Sequence, residues 1–155
     1  MMQSNAIHRP SRRAVLLGGG ALFAAAAAGG FAFMRRDRFA GEQISPDAAL
    51  EAVRAGEMVL IDIRRPDEWI ETGVAEGAHP LDMRRDDFIP ALSAITGGRT
   101  DTPVGLICAR GVRSDRMSAR LAEAGFTRII DVAEGMLGSA AGPGWLARDL
   151  PVVQP

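Results

Sequence analysis

Apolar residues between positions 41 and 155 come in short runs that alternate with amphipathic stretches. The runs at 58–63, 104–108 and 129–132 are mostly apolar, as is typical of parallel strands that are buried on both faces. The stretches between them carry apolar residues three and four positions apart, which is the spacing of one helix face. This alternation of strand and helix predicts an α/β domain with a central, mostly parallel sheet flanked by helices.

Cap and turn residues indicate where the helices begin and end. Ser45 followed by Pro46 is a typical helix start, because the serine side chain caps a free N–H group and proline fits the first helical position. Gly56, Gly73 and Gly125 are expected to end helices. We predict helices at 46–55, 66–72, 86–95 and 114–124, a short strand near 77–81, a glycine-rich loop at 135–144 and a last short helix from Trp145.

Residues 14–34 follow a different pattern, since they form an uncharged apolar run of 21 residues that is rich in alanine and glycine. Arg12 and Arg13 precede the run, and this pair resembles a twin-arginine signal, which exports folded proteins. A run of this length also fits a transmembrane helix. A soluble core helix fits poorly, because such a helix has a polar face. We therefore predict that residues 1–36 form one hydrophobic helix that is a twin-arginine-like signal or a transmembrane anchor.

The sequence leaves open whether this N-terminal segment is cleaved or retained. Alanines at 24–28 offer cleavage sites, whereas the apolar run continues through Phe31 and Phe33, as in a retained anchor. Three arginines lie on each side of the run, so the charge rule does not settle its orientation. The twin-arginine pattern favours an N-terminus in the cytoplasm and a domain outside the cytoplasmic membrane. We expect the domain on the periplasmic face of the cytoplasmic membrane, or in the soluble periplasm after cleavage.

Charge and composition exclude several classes of partner and cofactor. The chain has 155 residues and a net charge of −1, and every one of its 18 cationic side chains is an arginine. Five of these arginines lie in residues 1–36, so the remainder is mildly acidic and has no basic stripe for nucleic acid. One cysteine and two histidines are too few for a metal cage of the usual kind. We expect no metal, no cofactor and no intramolecular disulfide.

The single cysteine, Cys108, is the strongest candidate for chemistry. It ends the apolar run at 104–108 and opens the segment Cys-Ala-Arg-Gly-Val-Arg-Ser, which leads into a predicted helix. Loop amides, a helix N-terminus and the guanidinium groups of Arg110 and Arg113 all favour a thiolate, which is the nucleophilic form of cysteine. A buried structural cysteine is the alternative, but its neighbours would then be apolar rather than cationic and turn-forming.

Several short segments, each weak alone, occur together in an order and spacing that resemble the rhodanese (sulfurtransferase) family over nearly all of residues 41–155. The loop Cys108–Ser114 is the most specific of them. The other matching residues are Asp62, Ile63, Arg64, Pro66, Asp67, Glu68, Trp69, Gly73, Gly77, Ala78, Gly125, Phe126, Glu134, Gly135, Trp145, Leu150, Pro151 and Val152. The resemblance implies a rhodanese-like three-layer domain at 41–155.

The resemblance also implies a reaction and a role for each loop residue. Cys108 would take a sulfane sulfur from a small anionic donor such as thiosulfate, form a persulfide, and pass the sulfur to a thiol or other thiophilic acceptor, which could be a protein. The active loop would be formed by Ala109, Arg110, Gly111, Val112 and Arg113. Arg110 would attract the donor or remain a plain solvated charge, and Arg113 would hold the loop. Asp62, Arg64 and Glu68 are interpreted as structural support rather than as catalytic groups.

Two other functions fit parts of this pattern. Cysteine phosphatases and arsenate reductases of related fold place five residues between cysteine and arginine, whereas four separate Cys108 from Arg113 here, and Ser114 stands at the longer spacing. The shorter loop favours a single sulfur atom over a tetrahedral oxyanion. The second alternative is a membrane-tethered persulfide carrier or sulfur-sensing module without turnover of its own. It needs the same cysteine, so the sequence does not separate it from an enzyme.

Overall fold

The computed structural model describes residues 41–155, and a parallel sheet lies at the centre of this region. Its strand order is β1-β6-β5-β2-β4, and every neighbouring pair is parallel. A separate antiparallel pair is formed by β3 and β7. The strands are β1 Glu42–Gln43, β2 Val59–Asp62, β3 Val74–Ala75, β4 Ala78–Pro80, β5 Val104–Ile107, β6 Ile129–Asp131 and β7 Val152–Val153.

Four α-helices and one 3-10 turn connect these strands in the described region. They are α1 Pro46–Arg54, α2 Pro66–Thr72, α3 Phe88–Ile95, α4 Val112–Glu123 and the 3-10 turn Leu146–Arg148. The predicted cap of α1 is present, since the Ser45 side chain accepts a hydrogen bond of 3.3 Å from the backbone N–H of Ala48.

Two apolar cores cover the two faces of the central sheet. Ile61 and Leu106 pack in one cluster with Phe88 of α3 and Leu121 of α4. The next strand residues point the other way, because side chains alternate along a strand. A second cluster therefore contains Leu60, Ile107, Ala49, Leu50, Met136 and Trp145. The result is a three-layer α/β domain, which confirms the fold class predicted from the sequence.

Two helices begin at other residues than the pattern predicts. Helix α3 begins at Phe88 rather than at position 86, and α4 begins at Val112 rather than at Ser114. In α4 the reason is Gly111, which takes a left-handed backbone conformation as the N-cap and whose carbonyl accepts from the N–H of Asp115 at 3.1 Å. Val112 and Arg113 therefore belong to the first helical turn and not to a preceding loop.

The predicted N-terminal hydrophobic helix and its signal or anchor role fall on residues 1–36, which lie outside the described residues. Within residues 41–155, none of the helices is both long enough and apolar enough to cross a bilayer.

Candidate active site

Cys108 is the first residue after β5, at the carboxyl edge of the parallel sheet. In α/β sheets this edge is where ligands bind. The residue is 1% exposed, and its backbone carbonyl accepts a hydrogen bond of 2.8 Å from the N–H of Met136. The next carbonyl, that of Ala109, accepts from the N–H of Leu137 at 2.9 Å. The glycine-rich loop after β6 thus holds the base of the cysteine loop.

The backbone N–H groups from Ala109 to Ser114 donate no hydrogen bond to any acceptor within residues 41–155. Two of these residues, Ala109 and Ser114, are buried, where backbone N–H groups are nearly always paired. The last three of the six N–H groups open α4, where the helix dipole adds partial positive charge. A ring of free N–H groups at a helix start is an arrangement that binds anions.

Gly111 gives the loop its sharp turn. Its φ is +78°, in the left-handed region, and a Cβ atom at this position would collide with the backbone carbonyl of Ala133. Only glycine satisfies both conditions at this position.

Arg113 is held by Glu68 of α2 in a two-pronged ion pair. Its Nη1 and Nη2 atoms donate to Glu68 Oε2 and Oε1 at 2.7 and 2.6 Å. The hydrogen bond from Arg113 lowers the pKa of Glu68, and that from Glu68 raises the pKa of Arg113, to which the nearby Cys108 charge also contributes. Glu68 also accepts from the backbone N–H of Arg65 at 3.0 Å, which ties the start of α2 to the same pair.

Arg110 differs from Arg113 in having no carboxylate partner within residues 41–155. Its side chain is exposed, and its Nη1 atom makes one long hydrogen bond of 3.4 Å to the carbonyl of Gly138. The guanidinium charge at the edge of the loop is therefore not neutralised by the protein. Val112 lies beside it and is 59% exposed, so the loop presents an apolar side chain as well as a cation to solvent.

Asp62 and Arg64 form a buried ion pair under the site. Arg64 Nε and Nη2 donate to the Asp62 carboxylate at 2.9 and 2.7 Å, and both side chains are at most 1% exposed. The remaining donors of Arg64 reach the Thr72 hydroxyl at 2.7 Å and the Gly73 carbonyl at 2.6 Å. Arg64 Nη1 also donates to the Glu68 carbonyl at 3.2 Å, so the pair joins the end of β2 to α2, while the Glu68 side chain binds Arg113. The interpretation of all three as supporting groups remains a prediction.

Two polar residues at this edge of the sheet were not singled out as site residues by the sequence. The Ser114 hydroxyl lies 3.6 Å from Cys108 Sγ and donates to the Gly111 carbonyl at 2.9 Å. Asp131, at the end of β6, is 1% exposed, and burial raises its pKa to about 6, although the Ser114 hydroxyl partly opposes this shift. The available signal was an aspartate within the apolar run at 129–132.

Together these features place one thiol among anion-binding groups and leave it mostly shielded from water. The free N–H groups and the α4 dipole favour negative charge within the loop, and the unpaired Arg110 guanidinium adds positive charge at its edge. Such preorganised donors act strongly where water is excluded. The arrangement suits covalent chemistry at sulfur in which the charge stays on the loop.

Solved structures with the same fold include two that cover most of this chain. The polysulfide-sulfur transferase homodimer from Wolinella succinogenes is similar at 25% identity, with a TM-score of 0.62 over 82% of this chain and 88% of that one. Rv0390 from M. tuberculosis is similar at 28% identity, with a TM-score of 0.58 over 74% of this chain and 98% of that one.

The family is shown by a comparison of the sequence itself. No curated protein matches the chain. The family model described as the rhodanese-like domain matches residues 45–141, which is more than half of the chain and includes the whole cysteine loop. The chain therefore belongs to the rhodanese-like domain family.

Proposed function

We propose that this protein is a sulfurtransferase that carries a sulfane sulfur as a persulfide on Cys108, from a small anionic donor such as thiosulfate to a thiophilic acceptor. The observation that carries the proposal is the position of Cys108, at the base of a loop whose N–H groups have no acceptor within residues 41–155. Membership of the rhodanese-like family and the similarity to a polysulfide-sulfur transferase support sulfur transfer as the reaction class.

In the first step the Cys108 thiolate attacks the outer sulfur of thiosulfate. A sulfur–sulfur bond forms to Cys108 while the sulfur–sulfur bond of thiosulfate breaks, and its electron pair leaves with sulfite. The negative charge moves from Cys108 Sγ to the new outer sulfur, so the loop must stabilise charge one atom further out. The free N–H groups and the unneutralised Arg110 are suited to this.

In the second step the acceptor attacks the outer sulfur of the persulfide. The acceptor forms a bond to that sulfur, and the electron pair of the breaking sulfur–sulfur bond returns to Cys108 as a thiolate. With cyanide the product is thiocyanate, and no proton, oxidant or cofactor is consumed in either step. Splitting one transfer into two displacements is the usual benefit of covalent catalysis. The chain has no second cysteine, so the acceptor must come from another molecule.

The loop geometry also bears on phosphatase activity. Ser114 stands where a longer loop would place its arginine, and it is a buried hydroxyl that faces Cys108 Sγ rather than a cation that could clamp an oxyanion. Arg113 is the arginine that is present, and both of its terminal nitrogens already donate to the Glu68 carboxylate. Both observations favour sulfur transfer over hydrolysis of a phosphate ester.

The test is turnover of thiosulfate and cyanide by the full chain, with thiocyanate as the product measured. We expect turnover by the wild type and none by Cys108→Ser, because a hydroxyl at this position is not ionised near neutral pH. Wild-type protein that is folded, forms a persulfide and yet makes no thiocyanate would favour the carrier or sensing alternative. Hydrolysis of a phosphate ester by the wild type would overturn both.

We also propose that residues 1–36 carry the domain across the cytoplasmic membrane, to its periplasmic face or to the soluble periplasm. The support is the arginine pair followed by an uncharged run at 14–34. Cell fractionation of the wild type and of an Arg12→Lys, Arg13→Lys double variant tests it, with retention of the variant in the cytoplasm expected. The N-terminal residue of the exported protein decides between cleavage and anchoring. Equal export of both proteins would contradict the twin-arginine route.

A further inference from the structure

Most arginines of the described region are paired with a carboxylate, and those that are not lie mainly on one side of the domain. Residues 41–155 contain twelve arginines, of which eight form salt bridges. The four that form none within these residues are Arg110, Arg116, Arg120 and Arg128. Arg110 belongs to the cysteine loop, and Arg116 and Arg120 belong to α4, which continues from that loop. Three of the four unpaired cations thus lie on one continuous segment that starts beside Cys108.

The two arginines of α4 share an exposed helix face with Val112. Positions 112, 116 and 120 are four apart, a spacing that places side chains in one row along a helix. All three side chains are exposed. With a rise of about 1.5 Å per residue, the row extends about 12 Å along α4 from the cysteine loop. Of the two acids in α4, Asp115 is half-buried, and Glu123 forms no salt bridge within residues 41–155.

Two exposed apolar side chains flank the start of this row. Val112 is 59% exposed, and Leu137 of the glycine-rich loop is 42% exposed. The backbone N–H of Leu137 donates to the Ala109 carbonyl, and the next carbonyl, that of Gly138, accepts from Arg110, so Leu137 lies against the cysteine loop. Arginine is enriched in protein–protein interfaces, and the centres of such interfaces are apolar. The combination favours a protein as the occupant of this surface.

The chemistry of Cys108 and the charge of the domain identify the kind of protein. The chain has no second cysteine, so the sulfur must leave to another molecule, and a lipid surface has no thiol to accept it. A small thiol at the loop would meet Arg110 but not a charge about 12 Å further along α4. The folded part of the chain is mildly acidic as a whole, so an acidic partner is attracted along the row and repelled by the net charge of the domain. Such a contrast orients a partner on the surface.

We propose that Arg110, Arg116 and Arg120 form a docking surface for an acidic protein whose cysteine takes the sulfur from Cys108. The inference rests on the proposed function, because it names the acceptor of that reaction. The thiol of the partner loses its proton to solvent, and its thiolate attacks the outer sulfur of the persulfide. The bond between that sulfur and Cys108 breaks, its electron pair returns to Cys108, and the partner leaves as a persulfide.

Docking is tested first without sulfur chemistry, by the fluorescence anisotropy of a labelled peptide mixed with the full chain. The probe has glutamates on both sides of a serine that replaces the reacting cysteine, and a second peptide has glutamines in place of the glutamates. We expect the wild type to bind the glutamate peptide about tenfold more tightly than the glutamine peptide, and added salt to reduce this preference. The double variant Arg116→Glu, Arg120→Glu is expected to lose it.

Single charge reversals provide a matched control. Arg116→Glu alone should reduce the preference for the glutamate peptide by about threefold or more. Arg128→Glu makes the same change of charge at the remaining unpaired arginine, which directly precedes β6, and should keep the preference. Equal binding of the two peptides by the wild type overturns the proposal. A preference that survives in the double variant also overturns it, and weakened binding of that variant to phosphatidylglycerol vesicles would then identify the row as a lipid contact.

A second measurement follows the sulfur itself. Protein with a persulfide on Cys108 is mixed with the cysteine forms of the two peptides, and loss of sulfur from Cys108 is followed by mass. The ratio of the two rates is compared between proteins, because the glutamates also alter the reactivity of the peptide thiol. We expect the ratio of the glutamate to the glutamine rate to be about tenfold higher in the wild type and in Arg128→Glu than in the double variant.

The outcomes of this second measurement separate the docking surface from the reaction. A Cys108 that accepts no sulfur would overturn the proposed function, and with it this role of the surface. A persulfide that forms on Cys108 but reacts with the same ratio of rates in the wild type and the double variant would overturn the docking surface alone.

Discussion

Arg110 and Arg113 lie three positions apart in the turn from β5 into α4, but only Arg113 is paired with a carboxylate. The Arg113 guanidinium donates to both oxygens of Glu68, so its charge is largely neutralised before any donor arrives. Arg110 is exposed, and its one hydrogen bond is to a backbone carbonyl. The residue that can attract a dianion to the loop is therefore Arg110, while Arg113 is suited to holding the loop in place.

This difference predicts the kinetic effect of Arg110→Ala. We expect KM for thiosulfate to rise about tenfold while kcat changes little, because a charge at the rim acts on encounter and binding more than on the displacement. The dependence of KM on ionic strength should weaken in the same variant. Arg128→Ala, which removes a cation at the opposite edge of the sheet, serves as the control. A large fall in kcat with an unchanged KM would contradict the assignment.

Asp131 also predicts a pH dependence of stability. Burial raises its pKa from 3.8 to about 6, so the folded protein binds this proton more tightly than the unfolded chain does. The carboxyl therefore destabilises the fold by an amount that grows between pH 4 and pH 6, reaches about 3 kcal/mol above pH 6, and disappears below pH 4. Carboxylates with a lowered pKa, such as Glu68 and Glu134, have the opposite dependence.

The contribution of Asp131 is isolated by comparing urea unfolding of the wild type and Asp131→Asn across this range. Relative to the wild type, the variant should gain about 2 kcal/mol between pH 4 and pH 8, with most of the change between pH 4 and pH 6. The effects of the other carboxylates cancel in the difference. A difference in unfolding free energy that is constant with pH would show that Asp131 is ionised in the fold without penalty.

At this scale the sequence identified residues whose type alone is informative. Cys108 is the only cysteine, and glycine is the residue expected where the backbone takes a positive φ, as it does at Gly111. The contact between the Ser114 hydroxyl and Cys108 Sγ could not be predicted, because it depends on how helix α4 is rotated against strand β5. Nothing in the spacing of the two residues fixes that rotation.

At the scale of elements, the central feature is the turn from β5 into α4. Its shape depends on Gly111, whose positive φ is combined with a close approach to the Ala133 carbonyl. Gly98 offers a matched comparison, since its φ of +79° is nearly the same but a Cβ there would have nothing within 4 Å. Comparing substitutions at these two glycines therefore separates the cost of a strained backbone from the cost of a steric clash.

Alanine at these two glycines should have different consequences. We expect Gly98→Ala to cost about 1 kcal/mol of unfolding free energy, the strain of a left-handed residue, and to keep full sulfur transfer. Gly111→Ala should cost more than about 2 kcal/mol and remove most of the activity, since the Ala133 carbonyl or the loop must move. Thermal unfolding and thiocyanate formation measure both effects. Equal losses of stability and activity in the two variants would mean that the clash with the Ala133 carbonyl is relieved without cost.

Long strands and helices were predictable because they carry several periods of an apolar pattern. Strands β2, β5 and β6 and helices α1 and α2 lie close to their predicted positions. The two-residue strands β1, β3 and β7 were missed, since two residues carry no period. The start of α4 was placed too late, because the helix begins directly after the left-handed Gly111, which the apolar pattern does not mark.

For the domain as a whole, the parallel sheet determines where chemistry takes place. Five strands run in one direction, so their carboxyl ends meet at one edge, where Cys108 follows β5 and Asp131 ends β6. Apolar clusters on both faces fix the strands, and the buried Asp62–Arg64 pair joins β2 to the end of α2. The site is thus built on the most buried part of the domain.

Sulfur on Cys108 is measured as the mass of the Cys108 peptide after incubation of the protein with thiosulfate. We expect that peptide to gain one sulfur atom in the wild type and to lose it again when cyanide is added. In Cys108→Ser we expect no gain. An unmodified Cys108 in folded wild-type protein with thiosulfate and with polysulfide, or a sulfur found on another residue, would show that Cys108 does not carry sulfur.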